Sequence, residues 1–356
     1  MIASQRLRTA RLHSIAYDRA VRFGVFDHMD RAQDDLGGQY ADRLTLIEAY
    51  DRGGLHCYHM AEHHGTPLGL APSPNVFLAA AAQRSTRLRL GTLVNTMAMY
   101  HPLRLAEEVC MLDHLTGGRF EFGLGRGISP IELGFYGMSV EEANERFAEC
   151  REIVLAALVS DELTYHGAHY RYEGVPIVMH PRQRPRPPLW YGISRASSCE
   201  WTAAHDVNAV MNGGPQEVAT LVAAYRAEWA RIGKPGEALP LLGASRHLVV
   251  ADSDAEAIAI AELAYPQWRE SLLLLWVQRG VTAPHIAYPP TVAEAIDEGY
   301  LLAGAPGTVR DQIAAEIDST QINYMLCRFA FGQMPLATTL RSVELFTEQV
   351  MPALSV

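Results

Sequence analysis

Short, mostly apolar runs alternate along the chain with longer segments in which apolar residues recur every three or four positions. The runs suit strands and the longer segments suit amphipathic helices. "VRFGVFD" (Val21–Asp27) reads as a strand, and "ADRLTLIEAYDRGG" (Ala41–Gly54) as a helix stopped by glycines. "CYHMAEH" is the next strand, followed by "SPNVFLAAAAQRS", where Ser73 is placed to cap a helix with Pro74 at its first position. Strand "LRLGTLVN", helix "PLRLAEEVCMLDHLTGG", strand "RFEFGLG" and helix "SVEEANERFAECREIVLAAL" complete the first half. In the second half, "LWYGI", "NAVMN", "ASRHLVVA" and "NYMLCRFAFG" each lead into a helical pattern. Eight such strand–helix units predict an α/β fold, a closed (β/α)8 TIM barrel over residues 21–356. The alternative, an open doubly wound sheet, lacks its GxGxxG loop after the first strand. Two interruptions stand out. Residues 160–188, rich in Tyr, His, Arg and Pro, read as a hairpin or lid, and 265–304 as a loop excursion over the active face.

Composition narrows the class. The chain has 356 residues, 49% of them apolar, which is enough for a large core. A net charge of −10 with scattered basic residues argues against a nucleic-acid surface and against docking on anionic membranes. No apolar stretch approaches the ~20 residues that span a bilayer. The first 20 residues carry Arg6, Arg8 and Arg11 without an apolar core, so they read as an extension before the first strand, a transit peptide being the alternative. Five separated cysteines without a CxxC suit a reducing cytoplasm and give no sign of disulfides or a zinc site.

Candidate chemistry concentrates in "HCYHMAEHHG", where His56, His59, Glu62, His63 and His64 fall close together. Adjacent strand side chains point to opposite faces, so Glu62, His63 and His64 cannot share one ion, and neither HxH nor HExxH is present; no metal is expected. The cluster follows the apolar part of the second strand, at the carboxyl end where barrel active sites lie. One histidine there can transfer protons with a carboxylate fixing its tautomer, or both can simply hold the following loop. "GLGRG" offers a similar choice. Its glycines let backbone approach a ligand and Arg126 can grip a phosphate, but a tight turn explains the glycines equally well. Ser194, Arg195, Ser197 and Ser198 begin a helix and suit either an anion or simple capping. Asp27 and His28, at the end of the first strand, either face the cavity and a substrate or cap the next loop.

"AEHHG" together with "PNVFLAAAAQRSTRLRLGTLVNTMAMYHPLRLAEEVCMLDHLTGGRFEFGLGRG" resembles the bacterial luciferase-like family of flavin-dependent monooxygenases. The likeness runs from about Arg22 to Leu158 and returns at "SSCEWTAAH" and "VELFTEQVMPAL". It implies a TIM barrel that uses reduced FMN and O2 on a small organic substrate such as an aldehyde or other carbonyl compound, oxygen adding at the flavin C4a position. By resemblance, His63 is the catalytic base with Glu62 and His64 beside it. Leu93–Val94 is a non-prolyl cis peptide against the flavin ring, with Asn95 next to it, and Arg126 and the Ser194–Ser198 turn hold the phosphate. Gly125 stands where luciferase has a reactive cysteine, which implies a wider pocket and puts light emission in doubt. Asp27, His28 and Tyr100 are expected in the substrate pocket, with either 165–172 or 265–304 as the lid. A separate flavin reductase and a homodimer packed through early helices, especially Pro102–Thr116, are the implied partners. Alternatives are an F420-dependent hydride-transfer enzyme of the same fold and a non-catalytic flavin-binding protein.

Overall fold

Eight parallel strands form a closed ring in the computed structural model, which describes residues 21–282 and 288–354. In chain order the strands are β1 (Arg22–Asp27), β2 (Cys57–Met60), β3 (Arg89–Thr92), β4 (Asn95–Thr96), β5 (Phe120–Gly125), β6 (Glu162–His166), β7 (Arg171–Pro176), β8 (Leu189–Gly192), β9 (Asn208–Met211), β10 (Leu242–Val250), β11 (Leu301–Gly304) and β12 (Tyr324–Arg328). The ring runs β1–β2–β3–β5–β8–β9–β10–β12 and closes on β1. This is the expected (β/α)8 barrel. Residues 1–20, the expected extension, lie outside the described ones.

Alternation within each strand separates two cores. Side chains facing outward, such as Tyr58, Phe122 and Met325, join the large cluster beneath the helices. Those facing inward, Phe26, Ala61, Leu93, Trp190, Val210, Tyr324 and Leu326, fill the barrel itself. Gly24 belongs to this inner layer because a β-carbon there would lie 1.8 Å from the Tyr324 hydroxyl.

The 160–188 insertion carries an antiparallel hairpin, β6–β7, as predicted. The second insertion differs from the expected loop over much of its length, although a helix suits the apolar run Ser271–Gln278. The helix that begins at Asp254, capped by Ser253, runs through Pro266 to Gln278, so 265–278 is helical. Next comes a short helix, Val292–Asp297, and then β11, which pairs with the far half of β10. Helix Pro306–Thr320 was not anticipated either. Ser73 does stand at an N-cap, but its hydroxyl makes no capping bond. No helix among the described residues is long and apolar enough to cross a membrane, and all five cysteines are buried and free.

Candidate active site

Strand β2 ends at Met60, and Glu62–Gly65 turns over the carboxyl end of the barrel. The neighbouring histidines part there. His63 turns toward His28, with ring centroids 5.6 Å apart, and its Nδ1 lies 3.2 Å from Glu132 Oε1. Glu132 sits on the short helix Pro130–Phe135, whose N-cap Ser129 accepts the Glu132 backbone N–H. Its second oxygen accepts the His64 backbone N–H at 2.7 Å. Burial works to raise the Glu132 carboxyl, but the bonds from His63 and His64 outweigh it and leave the group below the ordinary range. An ionised carboxylate only accepts, so Nδ1 of His63 carries the proton and Nε2 is left for chemistry.

His64 is held on both sides, its Nε2 3.0 Å from Glu62 Oε1 and its Nδ1 2.9 Å from the Tyr136 hydroxyl. Glu62 is a hub. Its other oxygen accepts from the Tyr100 hydroxyl at 2.8 Å, the Thr96 N–H at 3.2 Å and Asn95 Nδ2 at 3.5 Å. Burial first, and then the Glu62 charge, push the Tyr100 hydroxyl upward and keep it a donor. Glu62, His64, Asn95 and Tyr100 therefore form one fastened network, and His63 is the member of the motif with a free nitrogen.

The peptide between Leu93 and Val94 is cis, as the resemblance implied. It lies between β3 and β4, and Leu93 belongs to the apolar layer with Phe26, Ala61, Trp190, Val210 and Leu326. On the rim, β5 and β8 pair with Leu124 opposite Tyr191, so Arg126 and the Ser194–Ser198 turn emerge side by side. The Arg126 guanidinium reaches Asn144 Oδ1 at 2.9 Å and the Gly127 carbonyl at 3.0 Å. Ser194, Arg195 and Ser197 are exposed, and Ser198 begins a short helix.

A profile described as luciferase-like monooxygenase matches residues 21–322. The chain belongs to the luciferase-like monooxygenase family. An uncharacterized protein of Sinorhizobium fredii, y4wF, is 38% identical over 329 residues, 92% of this chain and 96% of that protein. The oxygenase component of a flavin-dependent trigonelline monooxygenase from Acinetobacter baylyi is 28% identical over 67% of each chain. Among solved structures, monooxygenase RslO1 from Streptomyces bottropensis superposes with a TM-score of 0.83 at 25% identity, covering 93% of this chain and 99% of that one. The protein is thus a flavin-dependent oxidoreductase of that family.

Two expectations, one read from strand position and one from the family resemblance, need correction. Of the two roles open to Asp27, it takes the capping one and does not face the cavity. Phe26 takes the inward position, and Asp27 points outward, accepting from Tyr58 at 2.8 Å and the Met29 N–H at 2.7 Å beside Arg43 at 3.0 Å. Nor does Gly125 widen the pocket. A β-carbon there would lie 2.0 Å from Val94 Cγ2, so the valine already occupies that space.

The luciferase-like barrel also carries residues that the sequence reading did not name. Besides Glu132 and Asn144, the mouth holds Asn212, Ser245, His247 and Arg328 at the inward positions of β10 and β12 and just beyond β9. Of the two lid candidates, the second covers this mouth. Trp268 lies 5.9 Å from His28, and Leu272, Leu275 and Trp276 line a cavity of ≈ 30 Å³ beside His63 and Glu132. The β6–β7 hairpin instead packs Tyr170 and Tyr172 near His101. At the opposite end of the barrel, Cys57, His59 and Glu121 offer ligand atoms within 4.8 Å of one another. These groups already have partners there: Glu121 is bonded by Arg89 and the Trp190 indole N–H, and His59 Nε2 lies 3.0 Å from the Tyr324 hydroxyl.

Proposed function

We propose that the chain is the oxygenase component of a two-component FMN-dependent monooxygenase acting on a small organic substrate, with reduced FMN supplied by a separate reductase. The observation that carries the reading is His63, pinned at Nδ1 by an ionised Glu132 with Nε2 free at the mouth of an apolar barrel. The residues present suit a flavin. A guanidinium and neighbouring serine hydroxyls on one rim match a phosphate. The apolar layer of Leu93, Val210 and Leu326 matches a flat ring. Bound reduced FMN would supply the electrons that activate O2. Arg126 and the Ser194–Ser198 turn would hold the phosphate, and Leu93 and Val94 would orient the ring. Trp268, Leu272 and Trp276 would exclude water from the mouth. His63 Nε2 would take and return the proton of the reacting group, while Glu62 and His64 keep the loop in place. The naming of a relative as an oxygenase component supports a reductase partner. Met111 and Leu115, exposed on helix Pro102–Leu115, support self-association into a homodimer.

The test is O2 uptake with photoreduced FMN against a panel of carbonyl, aromatic and amine substrates, with F420 titrated in parallel. Substrate-dependent uptake with FMN is expected. Binding of F420 alone would replace this reading with hydride transfer. His63→Ala should keep FMN affinity and lose turnover by at least ~10²-fold, the scale of a lost general base. Turnover like that of the parent protein would remove His63 from the mechanism.

A further inference from the structure

Arg328, the last residue of β12, is 2% exposed and has no carboxylate partner among the described residues. Its Nε donates to Ser245 Oγ at 2.8 Å and its Nη2 reaches Asn212 Oδ1 at 3.4 Å, while Nη1 has no partner. His247 pairs with it across β10–β12, and both of its ring nitrogens are buried without partners too. Three flat rings surround the guanidinium, Phe26 at 4.9 Å and Trp268 and Tyr288 each at 5.5 Å. Burial first, and then the Arg328 charge, hold His28 and His247 well below the ordinary imidazole range, so they add no further charge. An unpaired buried cation destabilises the fold, a cost that a bound anion offsets.

We infer that Arg328 is the anchor for an anionic group on the substrate, and that the substrate is a small planar carboxylate whose ring lies against Phe26, Trp268 and Tyr288. The inference rests on the monooxygenase reading above and names its substrate class. A carboxylate accepts a pair of guanidinium N–H bonds, and a guanidinium that Ser245 and Asn212 already aim presents that fork with little loss of freedom. Ring order separates this anchor from the cofactor's rim. Counting β12, β1, β2, β3, β5, Arg328 stands four strands from Arg126, directly across the eight-stranded barrel. Pro266 interrupts the hydrogen-bond ladder of helix Asp254–Gln278 just before Trp268, one of the rings over Arg328.

The experiment measures binding of benzoate and nicotinate against benzamide and nicotinamide, by calorimetry and by Trp fluorescence, on the intact protein without flavin. The carboxylates should bind at least about tenfold more tightly than the amides, as charge-assisted bonds require. Arg328→Met should bring that preference to about twofold or less, Arg328→Lys should keep part of it, and FMN affinity should stay within about threefold in both. The parent protein's preference tests the idea even if Arg328→Met fails to fold. No preference in the parent protein, or one that survives Arg328→Met, overturns it. So does a loss of FMN affinity of about tenfold or more in Arg328→Met without any carboxylate preference, which would give Arg328 to the cofactor instead. An Arg328-dependent preference in a protein with no flavin-dependent O2 uptake would uphold the anchor and sink the monooxygenase reading.

Discussion

Arg43 and Arg328 are equally hidden, 5% and 2% exposed, yet their surroundings are opposite. Arg43, on helix Leu36–Gly53, faces Asp27 at 3.0 Å, with Asp30 close enough to act on its charge. The contact with Asp27 is a charge contact off the ideal hydrogen-bond direction. Arg246 repeats the pattern on the outer side of β10, 2.6 Å from Glu316. Both paired cations lie where helices meet the barrel wall, and their carboxylates come from the fold itself. Arg328 lies inside the mouth and has no carboxylate partner among the described residues. Selection for stability alone would supply it with a carboxylate or replace it with an apolar residue. A cation kept unpaired at the end of a barrel where active sites are built is one kept for a ligand.

The largest effect expected to sharpen this contrast is on the paired side. Asp27→Ala strips Arg43, Tyr58 and the Met29 N–H of one carboxylate at once and should cost about 3–5 kcal/mol in denaturant unfolding. Substrate preference per folded molecule should not change. A cost below ~1 kcal/mol together with altered substrate affinity would return Asp27 to the mouth.

Next in size is a pH effect at the same cluster. Burial, and after it the Asp27 charge, push Asp30 from 3.8 up to about 7, with Arg43 and the Gly332 N–H pulling the other way. The unfolded chain releases that proton near pH 4, whereas the folded chain keeps it until about pH 7. The folded state binds more protons across that window, so stability falls as pH rises through it and is level above. At about 1.36 kcal/mol per unit the fall is at most about 4 kcal/mol. Asp30→Asn should flatten this part of the curve in urea titrations run from pH 4 to 8. An unchanged slope would place the titrating group elsewhere.

The same parity explains what could be read from the sequence. All eight ring strands were legible, because each shows an apolar run between turn residues. The phase of the alternation was not, and a one-residue choice between Phe26 and Asp27 decides which side chain enters the barrel. The run "SLLLLWVQ" is apolar nearly all round and follows Pro266, so its continuity with the helix from Asp254 was hidden. "AEHHG" and "GLGRG" were legible because they are local. Glu132 lies 69 residues from its partner His63, and Arg328 is 116 residues from Asn212. Such pairs exist only once the ring closes, and no spacing rule announces them.

The smallest expected effect probes the carboxylate at the mouth that does have a cation-forming partner. Glu132→Gln keeps the size of the side chain and an acceptor for the His64 N–H, but removes the charge that orients His63. Turnover should fall about tenfold with substrate KM unchanged, since a holder of the base contributes less than the base itself. A merely structural role would reduce activity by the same factor whatever stands at position 63. The decisive measurement is therefore the double variant. If Glu132 works through His63, Glu132→Gln added to His63→Ala should change turnover by less than about twofold, because the interaction it supports is already gone. Equal losses on both backgrounds would mean that Glu132 fastens the loop through its bond to the His64 N–H. The mouth would then contain one more internally paired carboxylate of the kind seen at Arg43, in contrast to Arg328 Nη1 and the two His247 ring nitrogens, which have no partner among the described residues.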